Sequence, residues 1–147
     1  MDKDSVNGVI FTTEKRIKTS GGDILHGIKK NQIGYIGFGE AYFSFLEYGA
    51  IKAWKKHHDM TLNILVPVGE IRFVIYDDRT NSVSNGHFFD ITISAAQNYG
   101  RLTVPPLVWL GFKGENPENN LLLNVASHPH SNTEVERCEL TDIPFNW

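Results

Sequence analysis

Short apolar, aromatic and β-branched runs separated by glycines dominate this chain, and almost none carries the 3.6-residue period of a surface helix. Gly34, Gly37, Gly39, Gly49, Gly69, Gly86, Gly100, Gly111 and Gly114 punctuate the body, the signature of strands joined by turns. The pattern predicts strands over Gly8 to Thr12, Tyr35 to Phe38, Ala41 to Leu46, Ala50 to Trp54, Thr61 to Pro67, Glu70 to Tyr76, His87 to Ile93, Arg101 to Val104, Val108 to Phe112 and Leu121 to Ala126. Only Ser94 to Asn98 and Thr133 to Leu140 read as briefly helical. So many short strands must close or stack to hide their edges, which predicts an all-β barrel or two-sheet roll. Alternation puts Glu40, Tyr42 and Ser44 on one face of a strand and Ala41, Phe43 and Phe45 on the other. The polar face reads as the solvated outside of a half-buried strand, with a polar pocket lining as the alternative.

Composition narrows the class. At 147 residues, with no repeat and no long linker, the chain has room for one domain spanning 1–147. Hydrophobic residues at 41% and charged residues at 21% place it among globular proteins rather than disordered ones. A net charge of −3 gives no basic excess for phosphate neutralisation, which argues against a nucleic-acid partner. Apolar stretches such as Val104 to Leu110 are far shorter than the roughly 20 residues of a membrane-spanning helix. Met1-Asp2-Lys3-Asp4 has no leader signature, and the lone Cys138 can form no intrachain disulfide. The expectation is a cytoplasmic protein with no membrane partner.

The most informative stretch runs from Gly49 to Gly69, with Lys55, His57 and Leu62 between them. Its spacing resembles the first cupin motif, in which those three positions are His, His and Glu. Pro105 to Phe112 resembles the second cupin motif, with Leu110 where the last metal-binding His would stand. One donor, His57, survives of four, whereas zinc or iron needs about three or four converging lone pairs. No metal and no cofactor are therefore expected. His57 and His58 are adjacent and point to opposite faces of a strand, while His128 and His130 flank Pro129 in a stretch that reads as an exposed loop.

A second resemblance is carried by Phe38-Gly39-Glu40-Ala41-Tyr42-Phe43-Ser44, Gly49-Ala50-Ile51-Lys52-Ala53-Trp54, Gly69-Glu70-Ile71 through Tyr76-Asp77-Asp78-Arg79, Val104-Pro105-Pro106 through Trp109 with Gly111-Phe112-Lys113-Gly114, and Asp142-Ile143-Pro144-Phe145-Asn146-Trp147. In this order the pieces resemble the dTDP-4-dehydrorhamnose 3,5-epimerase family and its short relatives in surface-polysaccharide pathways. The resemblance runs from about Gly34 to the end and leaves residues 1–33 as an N-terminal strand or arm. It implies a double-stranded β-helix (a cupin jelly roll), a homodimer, and metal-independent chemistry on a nucleotide-linked 4-keto-6-deoxyhexose. In such an enzyme a base removes the proton α to the ketone and an acid returns it on the opposite face.

The residues depart from the family pattern at the chemistry. The family's base is the His closing Arg-Gly-Leu-His or Lys-Ala-Trp-His; here Lys52-Ala53-Trp54-Lys55 puts Lys55 in that position. The family's acid is a Tyr on a late strand, yet no tyrosine follows Tyr99. The lysine that the longer epimerases carry near Leu62 and the His at Leu110 are also missing. The candidates that remain are Lys55, His57 and Tyr42 for proton transfer, and Glu40, Ser44 and Lys52 for binding the substrate. Lys55 works as a base only if burial or a cationic neighbour such as Lys56 lowers its pKa. Three readings stay open: a keto-sugar epimerase or sibling isomerase with rearranged catalytic groups, a nucleotide-sugar-binding cupin without turnover, and a structural cupin whose barrel is filled by Trp54, Leu62 and Leu110.

Overall fold

Alternating strands can bury one face each only by stacking, and the chain does this with two antiparallel five-stranded sheets. The structure is a computed structural model that describes residues 5–147; Met1 to Asp4, on which the leader expectation rests, lies outside the described residues. The strands are β1 (Ile10–Thr13), β2 (Arg16–Ile17), β3 (Ile24–Leu25), β4 (Glu40–Phe45), β5 (Ile51–His57), β6 (Leu62–Val68), β7 (Glu70–Tyr76), β8 (Phe88–Ser94), β9 (Gly100–Val104), β10 (Trp109–Gly114), β11 (Leu121–Ala126) and β12 (Val135–Arg137). One sheet has the order β1-β9-β6-β11-β4, the other β12-β5-β10-β7-β8, and β2 pairs with β3 in a separate hairpin. This is the all-β roll that the strand pattern predicts, in the cupin jelly-roll form that the resemblance implies.

Between the sheets, Ile64, Val66, Leu102 and Leu122 of the first meet Ile71, Phe73, Ile75 and Ile93 of the second in one apolar core. Gly69 links β6 to β7 at a φ of +81°, with the Asn119 carbonyl oxygen only 2.0 Å from where a Cβ would stand. No other residue fits that corner. The N-terminal segment straps the outside of the first sheet. Buried Arg101 is held by Glu14, Asn63, Thr103 and the Ile33 carbonyl, and Asn63 also donates to the Gly34 carbonyl.

Several sequence expectations give way here. Tyr35 to Phe38 forms no strand; it follows Gly34, whose positive φ and close contact with Thr103 tie this stretch across the sheet rather than along an edge. Thr133 to Leu140 supplies β12, which extends the second sheet beside β5, and only its last residue, Leu140, enters a helical turn, the 3-10 turn Leu140–Asp142. Ser94 to Asn98 ends β8 and closes a bridged turn. Trp54 does not fill the barrel. Its ring lies in a second apolar cluster with Val74 and Ile143, sits tilted against Trp147 with ring centres 5.5 Å apart, and donates to the Leu140 carbonyl. Gly111 makes room for this layer, since a Cβ there would stand 2.7 Å from Ala53 and 3.0 Å from Trp147.

Candidate active site

The barrel interior is open on one side of its core. A cavity of about 410 Å³ is bounded by β4, β5, β6, β10, β11 and β12, with Leu62, Ile64, Leu110 and Leu122 forming its apolar floor. Tyr42 and Ser44 line it and Glu40 does not. The polar face of β4 is thus an inner wall rather than the solvated outside that the simpler reading of alternation favours. Phe43 and Phe45 are the ones turned outward, 65% and 71% exposed. Glu40 stands at the end of β4, near enough for its charge to act on Lys55.

Lys52, Lys55 and His57 all line this cavity from β5. A regular strand would send Lys52 and Lys55, three positions apart, to opposite faces. The ladder between β5 and β10 slips: Leu110 pairs with Lys55 but Phe112 pairs with Lys52. Two steps on β10 therefore match three on β5, a bulge that returns Lys52 to the inner face. Its ammonium sits at the exposed mouth, 3.5 Å from the Phe45 carbonyl.

β12 and the residue just before it add two groups that sequence reading missed, Glu134 and Arg137. Val135 pairs with His57 and Arg137 pairs with Lys55. Glu134, just before the strand, accepts a hydrogen bond from His57 Nδ1 at 2.7 Å through Oε2. Its Oε1 accepts from the backbone amides of Asp59 and Met60 at 3.0 and 2.8 Å. Burial pushes the Glu134 carboxyl up, but these hydrogen bonds outweigh it and hold the group below the usual carboxylate range. An ionised Glu134 fixes the His57 tautomer with the proton on Nδ1, leaving the Nε2 lone pair free. His57 is itself buried, which lowers its pKa from 6.5 despite the carboxylate. The result is a neutral, oriented imidazole on the cavity wall.

Arg137, exposed like Lys52, also lines the cavity. Lys55 lies between this cationic mouth and the floor; burial and the Arg137 charge lower its pKa, while Glu134 and Glu40 oppose the fall. Opposite β5, Asn124 of β11 donates from Nδ2 to the Tyr42 hydroxyl at 3.0 Å. Asn124 falls in the stretch of β11 that the resemblance equates with the strand carrying the family's acid. Its cross-strand neighbour Tyr42 brings a phenol into the cavity from β4 instead.

The donor set retains little for a metal. Among the described residues no three His, Cys, Asp or Glu side chains converge, and His128 and His130 lie in an exposed loop. No described helix is long and apolar enough to cross a membrane.

Comparison with solved structures supplies the deciding observation. A dTDP sugar isomerase from Desulfovibrio desulfuricans is 36% identical and superposes with a TM-score of 0.91, covering 97% of this chain and 92% of that one. This chain belongs to the family of dTDP-sugar epimerases and isomerases. A probable low-salt glycan biosynthesis epimerase from Haloferax volcanii is 30% identical over 107 residues, 72% of this chain and 66% of that protein. The chain thus spans just under two thirds of the length of that relative. The dTDP-4-dehydrorhamnose 3,5-epimerase of Bacillus anthracis, solved with TDP and pyrophosphate bound, shares the family fold at a TM-score of 0.81 and 19% identity, covering 93% and 83% of the two chains. No family model matches the sequence.

Proposed function

We propose that the protein is a metal-independent epimerase or isomerase of a dTDP-linked 4-keto-6-deoxyhexose in surface-glycan synthesis, with His57 as its base and Tyr42 as its acid. The observation that carries this reading is the His57–Glu134 pair on the wall of a cavity whose far side carries the Tyr42 hydroxyl. His57 Nε2 takes the proton on the carbon α to the ketone, and the carbon–hydrogen electron pair forms the enolate double bond as the carbonyl electrons move to oxygen. Tyr42 then gives its hydroxyl proton to that carbon on the opposite face, and solvent restores both groups.

Lys55 suits the enolate oxygen better than the base role implied by its sequence position. His57, lowered from 6.5, is neutral at pH 7 whatever the size of the shift. Lys55 starts at 10.5, far above neutrality, and the Glu134 and Glu40 charges oppose the fall that burial and Arg137 cause. A partly buried ammonium beside the cavity is a preorganised partner for developing negative charge. Lys52 and Arg137 at the mouth would take the diphosphate, Ser44 a sugar hydroxyl, and Glu40, off the cavity wall, would bias Lys55 toward its charged form. A cytoplasmic setting accords with the unpaired thiol of Cys138.

Incubation with dTDP-4-keto-6-deoxyglucose in heavy water tests the reading. Deuterium is expected at C3 or C5, detected by mass spectrometry and proton NMR. Saturable binding without exchange would leave a binding module, and absence of both would leave a structural cupin.

A homodimer belongs to the same proposal. Phe45 and Phe43 stand across from Leu121 and Leu123 on the outer face of β4 and β11. Exposed Ile33 and Ile36 add to the apolar surface that the molecule presents. An apolar face of this kind on a soluble chain marks an association surface, and a self-complementary twofold contact is the commonest way to cover it. The double substitution F43E/F45E is expected to convert a dimer to a monomer by sedimentation velocity, with the far-UV circular dichroism unchanged. A wild-type chain that sediments as a monomer at micromolar concentration would sink this part.

A further inference from the structure

Asn124 is 1% exposed in the middle of β11 and lines the cavity, and its Oδ1 is a buried acceptor with no hydrogen-bond partner. Its other end is engaged, because Nδ2 donates to the Tyr42 hydroxyl. Leaving a buried carbonyl oxygen bare is unfavourable, so a site that holds one in this way is built for a donor that arrives with the ligand. A ketone cannot supply that donor. A sugar ring hydroxyl can.

The two ends of this amide have linked consequences. Because Nδ2 occupies a lone pair of the phenol oxygen, the Tyr42 proton is not spent on Asn124 and stays free for the cavity. The geometry points to Asn124 as a positioning and specificity residue: its Oδ1 accepts a hydrogen bond from a ring hydroxyl of the hexose, and its Nδ2 holds Tyr42 with the phenolic proton aimed at the reacting carbon. This deepens the proposed function and rests on it. A hexose lacking that hydroxyl would leave Oδ1 unpaired and be discriminated against, as sites built around a substrate hydroxyl do.

Two variants separate the two ends. Asn124→Asp keeps an acceptor toward the hexose but offers Tyr42 an acceptor in place of a donor, so the phenolic proton turns toward Asp and away from substrate. The expected result is a KM within threefold of wild type and a rate of stereochemical inversion lower by about 100-fold. Asn124→Leu removes both ends and is expected to raise KM about tenfold as well. For both variants dTDP alone, measured by calorimetry, should bind within twofold of wild type, because the proposal gives Asn124 to the hexose and the diphosphate to Lys52 and Arg137. If wild type turns over and either variant keeps both kcat and KM within threefold, the role of Asn124 is overturned. Loss of dTDP affinity in both variants would also overturn it, by showing that Asn124 merely supports the barrel. A wild-type protein that exchanges no deuterium fails one step earlier, at the proposed activity, and takes this inference with it.

Discussion

His57→Asn is expected to lower deuterium uptake at the ketone's α-carbon by about 10³-fold while leaving dTDP binding intact, since the amide cannot accept the proton and the cationic mouth is untouched. Glu134→Gln should lose nearly as much, for a reason specific to this pair. The carboxylate meets three donors: His57 Nδ1 and the amides of Asp59 and Met60. Glutamine has a single oxygen. If that oxygen stays with the two amides, the NH₂ group faces Nδ1 and forces the other tautomer, which protonates the very nitrogen that must act as base. The pH profile gives an independent check. A base must be deprotonated, and burial has lowered the His57 pKa from 6.5, so uptake in the wild type should be flat above that pH and fall only on its acid side. Glu134 raises this pKa, so its removal moves the falling limb further toward acid in whatever activity remains. A limb near the lysine range would instead assign the base to Lys55.

Tyr42→Phe should separate two reactions that the wild type couples. Proton removal by His57 does not need the phenol, and the imidazolium exchanges with solvent and can return a deuteron on the face it came from. Deuterium uptake should therefore persist within about tenfold of wild type, while inverted product falls by about 10²–10³-fold. Chiral analysis of the recovered sugar, run beside the isotope measurement, reads both. Equal loss of uptake and inversion would show Tyr42 acting at the first step, and an unchanged rate of inversion would place the acid elsewhere.

How much of this was legible beforehand follows from the distance over which each feature is encoded. Period-2 alternation is local, so β7 and β11 are read to the residue and the shared parity of Lys55 and His57 is visible from the chain alone. Glu134 is not, because it reaches His57 only when β12, 77 residues downstream of β5 at this pair, joins the sheet edge. Its surrounding polar run has no strand pattern of its own. Parity also misassigned β4: two phenylalanines facing solvent contradict the usual rule, and only the position of β4 over an open cavity explains the inversion. Tyr42 as a replacement acid depends on its pairing with Asn124, again a non-local fact.

The bulge in β5 makes length changes unequal along one short strand. A codon lost at Ala53 would remove the extra residue, and regular alternation would still bring both Lys52 and Lys55 to the inner wall. A codon gained between Lys56 and His57 would instead put the inserted residue on the inner wall, turn His57 away from its carboxylate and silence the chemistry. Insertions and deletions that look equivalent on paper are thus expected to be tolerated at one end of this strand and purged at the other.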